Sequence, residues 1–199
     1  MDKAKRKYVF LITIVVIGLI GGIIFSNILN TSDEKLVYDK LTTYFLNIKN
    51  GIQIDYWQTL LNSIKNNMFL LIIVWIFGLS IIGIIFNAFI LFFKSFVLGF
   101  SIGSIINIYL YKGIILSIVY IFPHFIINTI ILLLLVYYAN NFSIKLFNLL
   151  FLKKDIKFHD IMKRYFKIFV ICLGAFSISS LIETFFSPFF IKLFTFLIN

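Results

Sequence analysis

MFLLIIVWIFGLSIIGIIFNAFILFF, from Met68 to Phe93, carries no charged side chain, and Ser80 and Asn87 are its only polar interruptions. A helix of about 20 apolar residues, each rising ~1.5 Å, crosses the ~30 Å hydrocarbon core of a bilayer. Inside lipid the backbone must satisfy its own hydrogen bonds, so the run reads as a transmembrane helix. Runs of the same kind lie at 9–29, 95–110, 113–139 and 168–186, and 61% of the chain is hydrophobic. The expected fold is all-α: a polytopic membrane helical bundle of about five transmembrane helices, built as a single integral membrane domain over residues 1–199. Only the segments 30–67 and 140–167 are left as long polar connections, which leaves no room for a soluble catalytic domain.

The formal charge of +10 does not point to nucleic acid, because the basic residues are clustered at the ends of the spans. Lys3, Lys5, Arg6 and Lys7 precede the first run. Lys145, Lys153, Lys154, Lys157, Lys163, Arg164 and Lys167 lie between the fourth and fifth. With the N-terminus inside, five spans put both clusters on the cytoplasmic face, together with Lys94 between the second and third runs. The other face keeps Lys35, Lys40, Lys49, Lys65, Lys112 and Lys192, and the first four are offset by Asp33, Glu34, Asp39 and Asp55. The positive-inside rule therefore predicts an N-in, C-out chain, with 30–67 external and 140–167 a cytoplasmic basic loop whose charge attracts anionic membrane lipid. The first run is longer than a signal peptide's apolar core of about 7–15 residues, so it is expected to be retained as a span.

Small residues mark where helices are expected to touch. Gly18 and Gly22 stand four apart in the first run, Ser95, Gly99 and Gly103 repeat at the same interval in the third, and Gly78 and Gly83 interrupt the second. That spacing places small side chains on one helical face, where two backbones can approach. Spans three and four, joined near Tyr109, Tyr111 and Lys112, should form an antiparallel hairpin. In the external segment Leu41, Phe45 and Ile48 share one face of an amphipathic helix that either lies on the membrane or packs back on the spans. Phe45, Tyr56 and Trp57 are the candidates for an external interface.

Glu183 is the one acid within the apolar runs. A carboxylate there must be protonated, paired or turned into the bundle. Asn107, Lys112, His124 and Asn128 are its candidate partners, Pro123 should kink span four, and Pro188 should break the helix after Glu183. His124 and Glu183 alone do not make a zinc site, and the lone Cys172 permits neither a disulfide nor a cysteine cluster. No catalytic, metal or cofactor-binding residue is assigned, and the chain is expected not to be an enzyme.

Several ordered strings together carry a resemblance: Val74-Trp75-Ile76-Phe77-Gly78-Leu79-Ser80-Ile81-Ile82-Gly83, Lys94-Ser95-Phe96-Val97-Leu98-Gly99-Phe100-Ser101-Ile102-Gly103, Lys112-Gly113, Pro123-His124, and Leu181-Ile182-Glu183-Thr184-Phe185-Phe186-Ser187-Pro188. Their order and spacing resemble the stage II sporulation protein M family from Asn62 onward. Phe125 and Asn128 stand where the wider family often has glycine and an acid, so no role of that acid is carried over. The resemblance implies a multi-pass protein of the mother-cell or septal membrane of a spore-forming bacterium. It would anchor and recruit peptidoglycan-degrading partners, the stage II sporulation proteins D and P, during engulfment. A second copy of the chain is a further candidate partner. The alternative is an accessory subunit of a membrane transport or export machine.

Overall fold

The computed structural model describes residues 3–49, 55–152 and 157–193, apart from the side chains of residues 3, 49, 119–124, 187 and 191–193. Among these residues the chain is helices joined by short turns, without a strand. The elements are α1 (Lys3–Ser26), α2 (Thr31–Lys49), α3 (Tyr56–Gly78), α4 (Gly83–Phe151) and α5 (Phe158–Leu193). Within α4 the chain reverses at Leu110 (φ 52°, ψ −131°), which divides it into a first arm, 83–109, and a second arm, 111–151. Five stretches are long and apolar enough to cross a membrane: Ala4–Ser26, Tyr56–Gly78, Gly83–Ile118, Phe125–Phe151 and Phe158–Phe190.

Each boundary has a local cause. Asp33 and Glu34 occupy the first turn of α2, where the helix dipole favours negative charge. Asp55 caps α3 by accepting from the Gln58 amide at 3.0 Å. Between α3 and α4 the backbone turns within Leu79–Ile82, with Leu79 N–H donating to the Ile76 carbonyl and Ser80 N–H to that of Phe77. Gly83 is required there, because a Cβ would collide with the Phe77 carbonyl. The reversal at Leu110 uses a non-glycine residue at positive φ, a conformation costing about 1–3 kcal/mol that persists only where the surroundings enforce it. The enforcement comes from the returning arm, whose Gly113 rests directly on Ile105 and Ile106.

α1 runs parallel to the first arm of α4, since contacts advance together along both: Gly18 with Ser95, Gly22 with Phe96 and Gly99, Ser26 with Gly103. The closest approach is at Gly22 and Gly99. A Cβ on Gly22 would strike the Phe96 carbonyl and one on Gly99 the Leu19 carbonyl, so the helices meet backbone to backbone. The second arm returns antiparallel to the first. It joins α1 through stacked Tyr8 and Tyr137 rings, 3.9 Å between centroids, and a Lys7 ammonium donating to Asn141 Oδ1. α5 packs on α3, where the Tyr165 hydroxyl donates to the Trp75 carbonyl at 2.9 Å and lies against Gly78. Ser143 of the second arm donates to the Gly78 carbonyl at 2.9 Å, closing this end of the bundle.

The helices do not begin and end where the apolar runs do. The run 68–93 contains the Leu79–Ile82 turn, so it is the end of one crossing and the start of the next. α3 begins at Tyr56, inside the segment 30–67 expected to be external. Lys94, expected between two spans, lies in the continuous first arm, about 11 residues or ~16 Å of rise beyond Gly83 and about 16 residues before Leu110. In α3 the polar residues fall on both faces, Ser63 and Asn67 toward α5 and Asn62, Lys65 and Asn66 on the exposed side, while Lys94 is half-buried within its helix. α5 also continues through Pro188 to Leu193 instead of breaking. Membrane helices tolerate proline where neighbouring groups satisfy the carbonyl it frees. Along α4 the backbone stays helical through Pro123, and among the described residues the departure from helical angles is at Leu110.

α2 is not one of the five apolar stretches. It folds back so that its apolar face closes on the bundle: Phe45 and Ile48 form a buried cluster with Leu98, Ile105 and Leu116, with Leu41 packed against it. Phe45 is fully buried, with its ring edge-on to Tyr109 at 5.8 Å, and so is not available to an external partner.

Candidate functional site

Two apolar clusters fill the bundle, bridged by Leu19 of α1, and polar residues lie between them on the other helices. The larger, toward the basic end, includes Leu71, Leu91, Leu132 and Phe176 from α3, both arms of α4 and α5. The smaller lies toward the Leu110 reversal and includes Leu98 and Leu116. One turn from the first cluster each element switches to polar residues: Asn67 on α3, Lys94 and Ser95 on the first arm, Asn128 on the second, Ser179 and Ser180 on α5. Asn67, Ser95, Asn128, Ser179 and Ser180 are all buried. Helical periodicity aligns these positions on the inward faces that carry the apolar residues before them.

Glu183 extends this layer by one further turn of α5. Its carboxylate accepts from the Ser63 hydroxyl at 2.6 Å, and Asn67 Nδ2 donates to Ser180 Oγ at 2.9 Å and to Ser63 Oγ at 3.4 Å. Thr184 turns its hydroxyl back to the Ser180 carbonyl at 2.9 Å. α3 and α5 are therefore laced by side chains spaced one helical turn apart on both: Ser63 and Asn67, Ser180 and Glu183. Lys94 approaches from α4, within electrostatic reach of Glu183, and its ammonium lies over the Phe125 ring at 5.8 Å from the centroid. Aromatic faces attract cations at such a range. One turn after Phe125, the buried Asn128 has an Oδ1 without a hydrogen-bond partner among the described residues.

The arrangement sets a lysine and a carboxylate, both half-buried, beside a buried polar layer. An isolated lysine or aspartate at the centre of a membrane helix costs about 2.5–3.5 kcal/mol on insertion scales. Lys94 lies within electrostatic reach of Glu183, Ser63 supplies a donor to the carboxylate, and the Ser63–Glu183 and Asn67–Ser180 hydrogen bonds tie α3 to α5 at one level.

The remaining candidates are distributed as follows. Gly18, Gly22, Ser95, Gly99 and Gly103 line the α1–α4 seam, while Gly78 and Gly83 flank the Leu79–Ile82 turn. Asn107 does not serve Glu183: its Nδ2 donates to the Ser26 carbonyl at 3.2 Å, near the far end of α1. The side chains of Pro123 and His124 lie outside the described residues. Pro188 is buried, one turn beyond Thr184. Tyr56 stacks on Phe185 at 5.7 Å, and Trp57 beside it is 69% exposed. Cys172 is buried in the larger core cluster.

Sequence reasoning found Glu183 and missed its surroundings. Lys94 was expected at a membrane edge, and Ser63 and Asn67 in an external segment. The available signal was the four-residue interval from Ser63 to Asn67 immediately before an uninterrupted apolar run, which marks a polar stripe on a buried face.

Five apolar helices sealed around an internal polar layer define a multi-pass membrane protein. The family model described as stage II sporulation protein M matches residues 9–188, most of the chain. The chain belongs to that family, and is thus a sporulation-related membrane protein. No curated protein and no solved structure gives a significant match to it.

Proposed function

We propose that this protein is a non-catalytic membrane scaffold that anchors and organises peptidoglycan-degrading partners during engulfment in endospore formation. The observation that carries the reading is the family match over residues 9–188. The packing supports it: a backbone-to-backbone α1–α4 seam and a laced α3–α5 pair make a platform stiff enough to hold partners in place. In this reading the basic end, with Lys7, Lys145 and Arg164, faces the cytoplasm, as the positive-inside rule favours. The Leu110 reversal, α2 and the exposed Trp57 then face the wall, where hydrolases such as the stage II sporulation proteins D and P act. Trp57, with Tyr56 and Phe185 beside it, is the recruiting surface, since exposed aromatic side chains are favoured anchors of protein contacts.

A second reading, an accessory subunit of a transport or export machine, draws on the Lys94–Glu183 pair, because ionisable residues inside membrane helices recur in ion and substrate pathways. Affinity purification from membranes of sporulating cells separates the two. Co-recovery of wall hydrolases supports the scaffold, and co-recovery of an ATPase supports the transport accessory.

A further inference from the structure

Four basic side chains from three helices gather at the basic end of the bundle. Arg6 and Lys7 come from the start of α1, Lys145 from near the end of the second arm of α4, and Arg164 from near the start of α5. Arg6, Lys145 and Arg164 are exposed and Lys7 is half-buried. Lys7 and Lys145 are close enough to repel one another, and none of the four forms an ion pair among the described residues. Two cavities lie among them. One, of about 310 Å³, has Arg6 and Lys7 in its wall with Tyr137 and Asn140. The other, of about 110 Å³, has Lys145 and Arg164 with Tyr138 and Asn141. No acid is among the described residues lining either cavity. They open on adjoining faces of the second arm, since Tyr138 and Asn141 each stand one residue beyond Tyr137 and Asn140. Lys7 links them: it lines the larger cavity, and its ammonium donates to Asn141 Oδ1 in the wall of the smaller.

Like charges gathered without a counter-charge repel, and a bound anion offsets that repulsion. An arginine beside a lysine suits phosphate, the arginine through its fork of N–H donors and the lysine as a point charge. Each cavity presents one such pair, so the arrangement fits two phosphates a short distance apart in one molecule. The walls select what carries them. Phe10, 58% exposed, lines the larger cavity with Leu11, Ile84 and Ile144, so apolar surface adjoins its cations. A soluble diphosphate leaves that surface bare, whereas the acyl chains of a lipid cover it. Basic pockets between membrane helices on the cytoplasmic side suit doubly charged lipid headgroups. We propose that this site binds a diphosphatidylglycerol lipid, cardiolipin, with one phosphate on Arg6 and Lys7 and the other on Lys145 and Arg164. Unlike the diffuse attraction of a basic loop, such a site discriminates between lipids presented at equal charge.

The test is lipid retention by the purified full-length protein in phosphatidylcholine nanodiscs, read by native mass spectrometry. The discs contain either cardiolipin or twice the molar amount of phosphatidylglycerol, so that anionic charge is matched. The wild type should retain cardiolipin about tenfold better per phosphate, the effect of a second phosphate contact worth ~1.4 kcal/mol. Lys145→Gln combined with Arg164→Gln should lower cardiolipin retention to the phosphatidylglycerol level with an unchanged helical circular dichroism spectrum. If that variant fails to fold, Arg6→Gln carries the test, with a smaller loss of the same preference. Lys157→Gln combined with Lys163→Gln removes as much charge from exposed positions outside both cavities and should keep the preference. Equal retention of the two lipids by the wild type overturns the proposal, as does an undiminished preference in the folded cavity variant or an equal loss in the control. Displacement of cardiolipin by inorganic pyrophosphate at equal concentration also overturns it, by assigning the site to a soluble phosphate.

Discussion

Removing Lys94 alone should harm the bundle more than removing Lys94 and Glu183 together would suggest. In Lys94→Met the stem volume is kept and the ammonium is lost, leaving the Glu183 carboxylate with only the Ser63 hydroxyl at 2.6 Å. Deleting one member of a fully buried pair typically costs about 3–5 kcal/mol, and Lys94 and Glu183, both half-buried, should cost less. The expected loss is about 1–3 kcal/mol, between the exposed and the fully buried cases. Glu183→Gln keeps an acceptor for Ser63 but strands the Lys94 ammonium, and should cost about 1–3 kcal/mol. The double variant has two neutral groups in the same layer, so its loss should fall short of the sum of the singles by about 1–3 kcal/mol. Reversible unfolding in mixed micelles, followed by circular dichroism, measures all three. Additive losses, with a coupling below about 0.5 kcal/mol, would show that Lys94 and Glu183 act independently and would refute the paired polar layer.

Other substitutions probe the seam, the cap and the topology. Gly22→Leu must push α1 away from the Phe96 carbonyl and should destabilise by about 1–3 kcal/mol or more, while Ile24→Leu on the exposed face should stay within about 0.5 kcal/mol; the same micelle assay compares them. Ser143→Ala removes the donor to the Gly78 carbonyl and should cost about 1 kcal/mol in that assay. In a Cys172→Ala background, a cysteine at Lys145 should resist impermeant thiol reagents in intact cells, whereas one at Tyr111, 72% exposed, should label; the reverse pattern would invert the proposed orientation.

The five crossings, the α1–α4 glycine seam and Glu183 were legible because each depends on local composition. Lipid solvation demands apolar runs, close approach demands small residues at intervals of four, and a lone acid in such a run stands out. The helix ends were not legible from hydropathy, which averages over all faces of a helix. Asn67 and Ser63 face α5 and Lys94 lies over the Phe125 ring, so their polarity is met by protein and says nothing about distance from the bilayer edge. The reversal at Leu110 falls where the hairpin near Tyr109, Tyr111 and Lys112 is expected, and only its backbone geometry was hidden. Its positive φ falls on a leucine, with no glycine or proline to announce it, and is imposed by the packing of Gly113 on Ile105. The fate of Phe45 needed tertiary information as well: an amphipathic face fits a lipid surface or a groove between helices, and only the bundle supplies the groove.

The scaffold reading is tested most directly by quantitative affinity purification of the tagged protein from membranes of sporulating cells, comparing wild type with Trp57→Ala. Trp57 is 69% exposed, so its loss should leave the protein's membrane level unchanged. Wall hydrolases should be recovered with the wild type and fall at least about tenfold with the variant, the effect of losing a contact worth ~1.4 kcal/mol or more. Recovery of an ATPase without hydrolases from the wild type would contradict the account.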